Sequence, residues 1–426
     1  MKDYKTIIQN AYTFLYPLVL MDATCMTSTN TVKANDKKAP INQLLHTRKL
    51  MTAQDKAVVT PNVDTIYTQA WLDLSTGPWV LTVPKTDRFF NVQILDAWTD
   101  VPFVINEAGS YAFVKENEKA DIPVGVKRID VDTDLVWLIT RILIKGQDDI
   151  DNVRDIQNKM ELVPLDYYVS DKLYTAPDGT YDPNKEIVPV EYVRNMTPSE
   201  FFNKANKLLI NNPIRKEDEE YCKSFIELGI GSGLTFNSES CKFDINEIWK
   251  EVINEFMPNV LKQASKFSQK IGIWEMLGGP VAEFKTEYGY RACVALIGLG
   301  ANPMYVAIYP KCEKDSDGEE LNGKNTYMIH FNSLPKVMDK GFWSITAYGN
   351  DDFLIPNEND IYNVNDRSSY TLNDDGTLDV LLSTSDLNDG HFWIPVCNDK
   401  FHLFLRIYLP DVEALKSWEA PSIHKI

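Results

Sequence analysis

The segment from Pro61 to Ile105 reads PNVDTIYTQAWLDLSTGPWVLTVPKTDRFFNVQILDAWTDVPFVI, and it decides the fold class. Trp71–Leu74, Trp79–Val83, Phe89–Leu95 and Val101–Ile105 are short β-prone runs, separated by Gly77-Pro78, Pro84 and Asp/Thr clusters that turn a chain. Short strands with regular turns predict antiparallel β structure. Downstream, the first part of the apolar run 131–144 reads as a central strand with Arg141 inside it. Residues 148–162 carry a helical stripe through Ile150, Val153, Ile156 and Met160. Upstream, residues 31–57 are polar and basic and read as a loop or arm, and residues 3–22 repeat apolar side chains as a buried helix does (Ile7, Ala11, Leu15, Leu18).

The C-terminal part has the same character. Ala307–Tyr309, Thr326–Phe331, Gly341–Tyr348, Thr377–Ser383 and Phe401–Tyr408 alternate as half-buried strands, beginning from about Ala292. Asp315–Gly318 and Asn373–Gly376 supply turns. Between the β regions, Thr197-Pro198-Ser199-Glu200 is a helix start, with Thr at the cap, Pro at the first turn and Glu three residues on. Further helices are expected near 216–228, ending at Gly229, and over 245–271, with Pro258 inside. The expected class is α+β, mainly β: two sandwich- or jelly-roll-like domains with an N-terminal helix and a helical block between them. The units are 1–170, a connector and helical block 171–285, and 286–426.

A chain of 426 residues exceeds one ordinary core. Hydrophobic residues at 44% and charged residues at 24% place it among globular proteins. Its 43 basic and 61 acidic residues leave a net charge of −18, which argues against nucleic acid and anionic membrane surfaces as partners. Neutral glycans, small organic molecules and other proteins remain. The six cysteines stand singly, without CxxC spacing, so buried thiols in a reducing, cytoplasmic or otherwise intracellular setting are expected. The apolar stretch 11–21 is too short to span a bilayer and lacks the context of a signal peptide.

Two ordered motif series carry a family resemblance. Pro61-Asn62-Val63-Asp64-Thr65-Ile66-Tyr67, Leu72-Asp73-Leu74, Val80-Leu81-Thr82-Val83-Pro84 and Gln93-Ile94-Leu95-Asp96-Ala97-Trp98 resemble the domain of unknown function 1254. Gly298-Leu299-Gly300-Ala301-Asn302, Tyr309-Pro310, Asp317-Gly318, His330-Phe331, Phe342-Trp343-Ser344, Arg406-Ile407-Tyr408 and Trp418-x-x-Pro421 resemble the domain of unknown function 1214. The resemblance implies two sandwich-like domains, a helical segment and a homo-oligomer. It implies no established reaction. Two segments depart from the pattern: Val306-Ala307-Ile308, where an acidic residue is usual before Tyr-Pro, and His391–Cys397, where Asn-Trp-x-Pro-Ala-Pro is usual.

The candidate site residues follow from chemistry. Asp64 suits a general base or an acceptor for a sugar hydroxyl, with Asn62, Thr65 and Tyr67 beside it as ligand contacts; alternatively, Asn62 and Asp64 cap backbone N–H groups at a strand entry. Asp96 precedes Trp98, and a carboxylate beside an indole suits a sugar; paired with Asp64 it would supply acid–base chemistry on a glycoside. Arg141, Arg291 and Arg406 interrupt apolar runs, so each needs an acidic partner or an anionic ligand, Arg291 being the one placed in the ligand site. Arg367 reads as a solvated loop residue. His330 and Trp343 are further binding candidates, with core packing as the alternative. Five histidines without HxH or HxxxH spacing give no metal site, and no cofactor motif is present. The first functional reading is a cleft in the N-terminal β domain for a neutral glycan or small organic molecule. The alternative is a non-catalytic coat, envelope or virion-type component.

Overall fold

The computed structural model describes residues 3–56 and 58–426; Ala57, within the expected arm, lies outside the described residues. Helix and strand contribute about equally, so the fold is mixed α+β with an N-terminal helix.

The first β unit holds two sheets over one apolar core. The five-stranded sheet runs, in space, Leu45–His46, Thr65–Asp73, Leu135–Leu143, Phe90–Leu95 and Phe103–Ile105. The four-stranded sheet runs Val126–Val131, Gly109–Lys115, Trp79–Val83 and Glu161–Pro164. Strand alternation sends Ile66, Ala70 and Leu72 to the core, where Trp79, Leu81 and Val83 meet them from the other sheet. The same alternation sends Tyr67, Gln69 and Trp71 to the opposite face. Antiparallel register aligns them in rows there: Tyr67 with Arg141 and Asn91, Gln69 with Ile139 and Gln93, Trp71 with Trp137 and Leu95. On that face Trp71, Leu95 and Ile139 join the helical core, and Gln93 and Arg141 reach Ala301 and Gly300.

The first helix, Tyr4–Ser28, is buried along most of its length, as its apolar composition demands. Helices Pro189–Arg194, Pro198–Leu208, Glu219–Ile226, Ile245–Ala264 and Tyr288–Gly298 surround it. The capping box at Thr197 and Glu200 is present. Trp71, Leu95 and Trp98 share the core of this helical block, which therefore sits on one end of the sheet face.

The second β unit has the strand Phe401–Pro410 at the centre of its larger sheet, between Val337–Gly349 and the short strands Lys311–Cys312 and Ala307–Ile308. A four-stranded sheet, Phe392–Pro395, Leu378–Ser383, Tyr327–Phe331 and Ser422–Lys425, shares its apolar core.

Three local readings differ from expectation. The expected helix over 148–162 is Ile150–Asn158, and the chain then enters the edge strand Glu161–Pro164. The C-terminal strands begin after a helix, Tyr288–Gly298, whose apolar residues pack on the first helix. The expected helix over 245–271 ends at Ala264, and Ser268–Ile271 pairs as a strand with Trp274–Leu277. All six cysteines are free; Cys222, Cys293 and Cys312 are buried and the other three half-buried. Among the described residues no helix is long and apolar enough to cross a membrane.

Candidate functional site

Asn62 opens the Pro61–Tyr67 segment by folding back on it. Its Oδ1 accepts from the backbone N–H of Asp64 at 2.7 Å and of Thr65 at 3.2 Å, while its Nδ2 donates to the Tyr408 hydroxyl at 2.7 Å. This turn starts the strand at Thr65 and aims Asp64 into the second β unit. There the Asp64 carboxylate is buried and saturated: Ser344 Oγ donates at 2.5 Å, Asn363 Nδ2 at 3.0 Å, and Arg367 pairs with it at 2.8 Å. Arg367 is therefore no solvated loop residue; its guanidinium closes over Asp64 and stacks 5.1 Å from the Phe342 ring. Nearby, Tyr348 donates to the Pro61 carbonyl at 2.7 Å, and buried Arg406 donates to Tyr348 at 2.7 Å and to the Thr60 carbonyl at 2.9 Å. Both ends of the motif are thus fastened across the seam between the β units. A buried pair with its remaining oxygens hydrogen-bonded is an arrangement that resists separation.

Tyr67 lies two residues on, half-buried, with the Arg141 guanidinium 5.5 Å from its ring. Arg141 donates to Gln93 Oε1 at 2.7 Å, Asn302 Oδ1 at 3.2 Å and the Gly300 carbonyl at 2.9 Å. Gln93 in turn donates to the Ala301 carbonyl at 2.6 Å, and Asn302 Nδ2 to the Tyr309 hydroxyl at 2.7 Å. The Thr65 hydroxyl is buried without a partner. Burial raises the Tyr408 phenol well above its ordinary range.

Asp96, Trp98 and Arg291 gather elsewhere. Asp64 precedes the row of Thr65, and Asp96 follows Leu95, which shares a row with Trp71. The two carboxylates therefore stand at opposite ends of the sheet, roughly 26 Å apart at ~3.3 Å per residue. They do not share a pocket, whereas paired glycosidase carboxylates stand within about 10 Å. Asp96 Oδ1 accepts from the backbone N–H of Trp98 at 2.9 Å and of Asp100 at 3.0 Å, and Oδ2 pairs with Arg215 at 2.5 Å. Burial pushes its carboxyl up to about 7, against the pull of Arg215. Trp98 donates to the Pro213 carbonyl at 3.1 Å and, with Phe14, places a ring 5.1 Å from the Arg291 guanidinium. Arg291 is wholly buried, and burial lowers its proton affinity.

His330 and Trp343 join neither cluster. His330 Nδ1 lies 2.7 Å from Asp379 on the half-exposed side of the small C-terminal sheet, and Trp343 packs on Phe331 in the core. No group of His, Cys, Asp or Glu among the described residues can hold a metal ion.

Open space lies at another place. A groove of about 910 Å³ runs along the free edge of the strand Glu161–Pro164, opposite the loop carrying Asn42 and Gln43. Tyr167, Tyr168 and Tyr174 line it with Glu161 and Asp171. The Tyr174 ring meets Trp79 and Tyr167 edge-on at 5.7 and 5.0 Å, and Tyr168 donates to Ser110 Oγ at 3.0 Å, so the aromatic wall is braced from behind. On sequence the first unit is expected to end at residue 170, with a connector starting at 171, and these tyrosines have no assigned role; their density beside a Pro- and Gly-rich segment was the available signal.

Residues 41–164 match the family described as protein of unknown function DUF1254, and residues 306–412 match protein of unknown function DUF1214. No curated protein matches the chain. The crystal structure of the VPA0106 protein from Vibrio parahaemolyticus is similar over 99% of both chains, with a TM-score of 0.74 at 20% identity, which shows a shared fold. A putative uncharacterized protein from Burkholderia cenocepacia aligns over 97% of this chain and 88% of its own, with a TM-score of 0.44 at 10% identity.

Proposed function

Because the chain belongs to the family that pairs DUF1254 with DUF1214, whose descriptions name no reaction, we propose a function from its geometry: it binds a neutral, hydroxyl-rich small molecule or glycan end in the groove of the first β unit. The observation that carries this reading is the 910 Å³ groove with its braced tyrosine wall. Its volume lies in the range of ordinary ligand sites. Tyrosine rings offer apolar faces to sugar C–H groups, while their hydroxyls, with Gln43, Glu161 and Asp171, offer partners to sugar hydroxyls. A net charge of −18 disfavours polyanionic ligands. In this reading Asp64 and Asp96 keep the frame rigid, and the protein needs no catalytic pair. Titration of a panel of neutral oligosaccharides by calorimetry tests it: at least one should bind, and Tyr174→Ala should weaken that binding at least tenfold.

A second reading is a non-catalytic assembly protein acting as a homo-oligomer; the engagement of Asp64 by Ser344, Asn363 and Arg367 of the same chain favours its non-catalytic part. Analytical ultracentrifugation separates the two: a stable closed oligomer with no saturable ligand supports assembly.

A further inference from the structure

The seam between the β units carries a charge imbalance that the groove does not explain. Arg141 is 7% exposed, and no carboxylate stands within 4.0 Å of it among the described residues. Its N–H groups go to neutral oxygens of Gln93, Asn302 and Gly300, with the neutral Tyr67 side chain beside them. Among the described residues, Arg367 pairs with Asp64 and Asp366 and Arg406 feels Asp64, so these three guanidiniums share two carboxylates. A surplus buried cation is costly, and it is unexpected in so acidic a chain.

Two polar atoms beside this surplus are also unsatisfied. Asn91 shares a row with Arg141, and its Nδ2 donates to Asn302 Oδ1 at 3.1 Å, leaving its Oδ1 buried without a partner. The amide cannot simply turn over, because Asn302 is itself fixed: its Oδ1 receives Arg141 and its Nδ2 gives to Tyr309. Thr65 Oγ1, on the same strand as Tyr67, is the second. Native structures rarely leave such atoms unpaired without a reason. Tyr67 and Tyr309 are only half-buried, so solvent reaches the cluster from their side.

We propose that the cluster of Arg141, Asn91, Thr65, Tyr67 and Tyr309 is a binding site for a small 2-hydroxycarboxylate. The carboxylate balances Arg141 and accepts from its remaining N–H groups and from a phenol O–H. The hydroxyl donates to Asn91 Oδ1, which a plain carboxylate cannot satisfy. The site is separate from the groove and stands whether or not the groove binds a glycan.

Lactate, propionate and lactamide are the probes, titrated into the full chain by calorimetry. Lactate should bind saturably, propionate at least fivefold more weakly, and lactamide not measurably. Arg141→Gln should weaken lactate binding at least tenfold. Should that variant fail to fold, Asn91→Asp, which keeps the size and sets a negative charge against the ligand, should do the same. The proposal is overturned if lactate shows no saturable binding to the folded protein, if lactamide binds as well as lactate, or if lactate binding persists in the folded variants.

Discussion

Asp64 and Asp96 come from one family motif series and flank two strands of one sheet that are separated by Leu135–Leu143, yet they fasten different parts of the molecule. Asp64 is held by Ser344, Asn363 and Arg367, 280, 299 and 303 residues away, and joins one β unit to the other. Asp96 is held by Arg215, 119 residues away, and joins the same sheet to the helical block. Asp64 receives its backbone geometry from Asn62, whereas Asp96 shapes its own turn by accepting from Trp98 and Asp100. The first carboxylate is consumed by side chains of a distant domain; the second is shared between local backbone and one arginine. In both cases the acid that looks catalytic in sequence is engaged in cohesion, and the roomy groove lies apart from both.

Removing the charges should separate the two carboxylates most strongly. Asp64→Asn should destabilise by about 3–5 kcal/mol, because it removes the wholly buried carboxylate from the seam and leaves Arg367 only the more exposed Asp366. Arg367→Gln should cost a similar amount, and the double variant should cost clearly less than the sum, measured as a denaturant double-mutant cycle. Asp96→Asn should cost less, about 1–3 kcal/mol, since the amide Oδ1 still accepts from Trp98 and Asp100. Equal losses at the two positions would erase the distinction.

Acid should act on both β units. Burial lowers His46, in the first, and His402, in the second, to about 4. A depressed folded value means the unfolded chain binds the proton more readily. Stability is therefore retained above pH ~6.5 and lost progressively as the pH falls toward ~4. Thermal melts between pH 7 and 4 read this, and His402→Gln should flatten the decline. The smallest effect expected is for Tyr408→Phe, about 1 kcal/mol, from loss of the hydrogen bond to Asn62.

Much of the framework was legible because its signals are local. Alternation and turns located the strands Trp79–Val83, Phe90–Leu95 and Phe401–Pro410, and the capping box located the helix at Pro198. The helix Tyr288–Gly298 was missed because its Tyr, Cys, Val and Ile suit a strand equally well, and its burial against the first helix decided the matter. The edge strand Glu161–Pro164 follows its helix too closely to leave a separate pattern. In the site, the capping role of Asn62 was readable from its neighbours. The partners of Asp64 were not: Arg367 sits in a polar run that resembles any exposed loop, and only the docking of the two units brings it to Asp64. The Arg141 problem was visible as a charge in an apolar strand, but the neutrality of its partners was not.

In the proposed function the motif acids hold the frame while the tyrosine groove binds ligand. Calorimetric titration of a bound neutral oligosaccharide into Tyr174→Ala and into folded Asp64→Asn, at a temperature where both are native, tests it most directly. Tyr174→Ala should lose at least tenfold in affinity, and Asp64→Asn should change it less than twofold. Abolished binding in Asp64→Asn with unchanged affinity in Tyr174→Ala would contradict it.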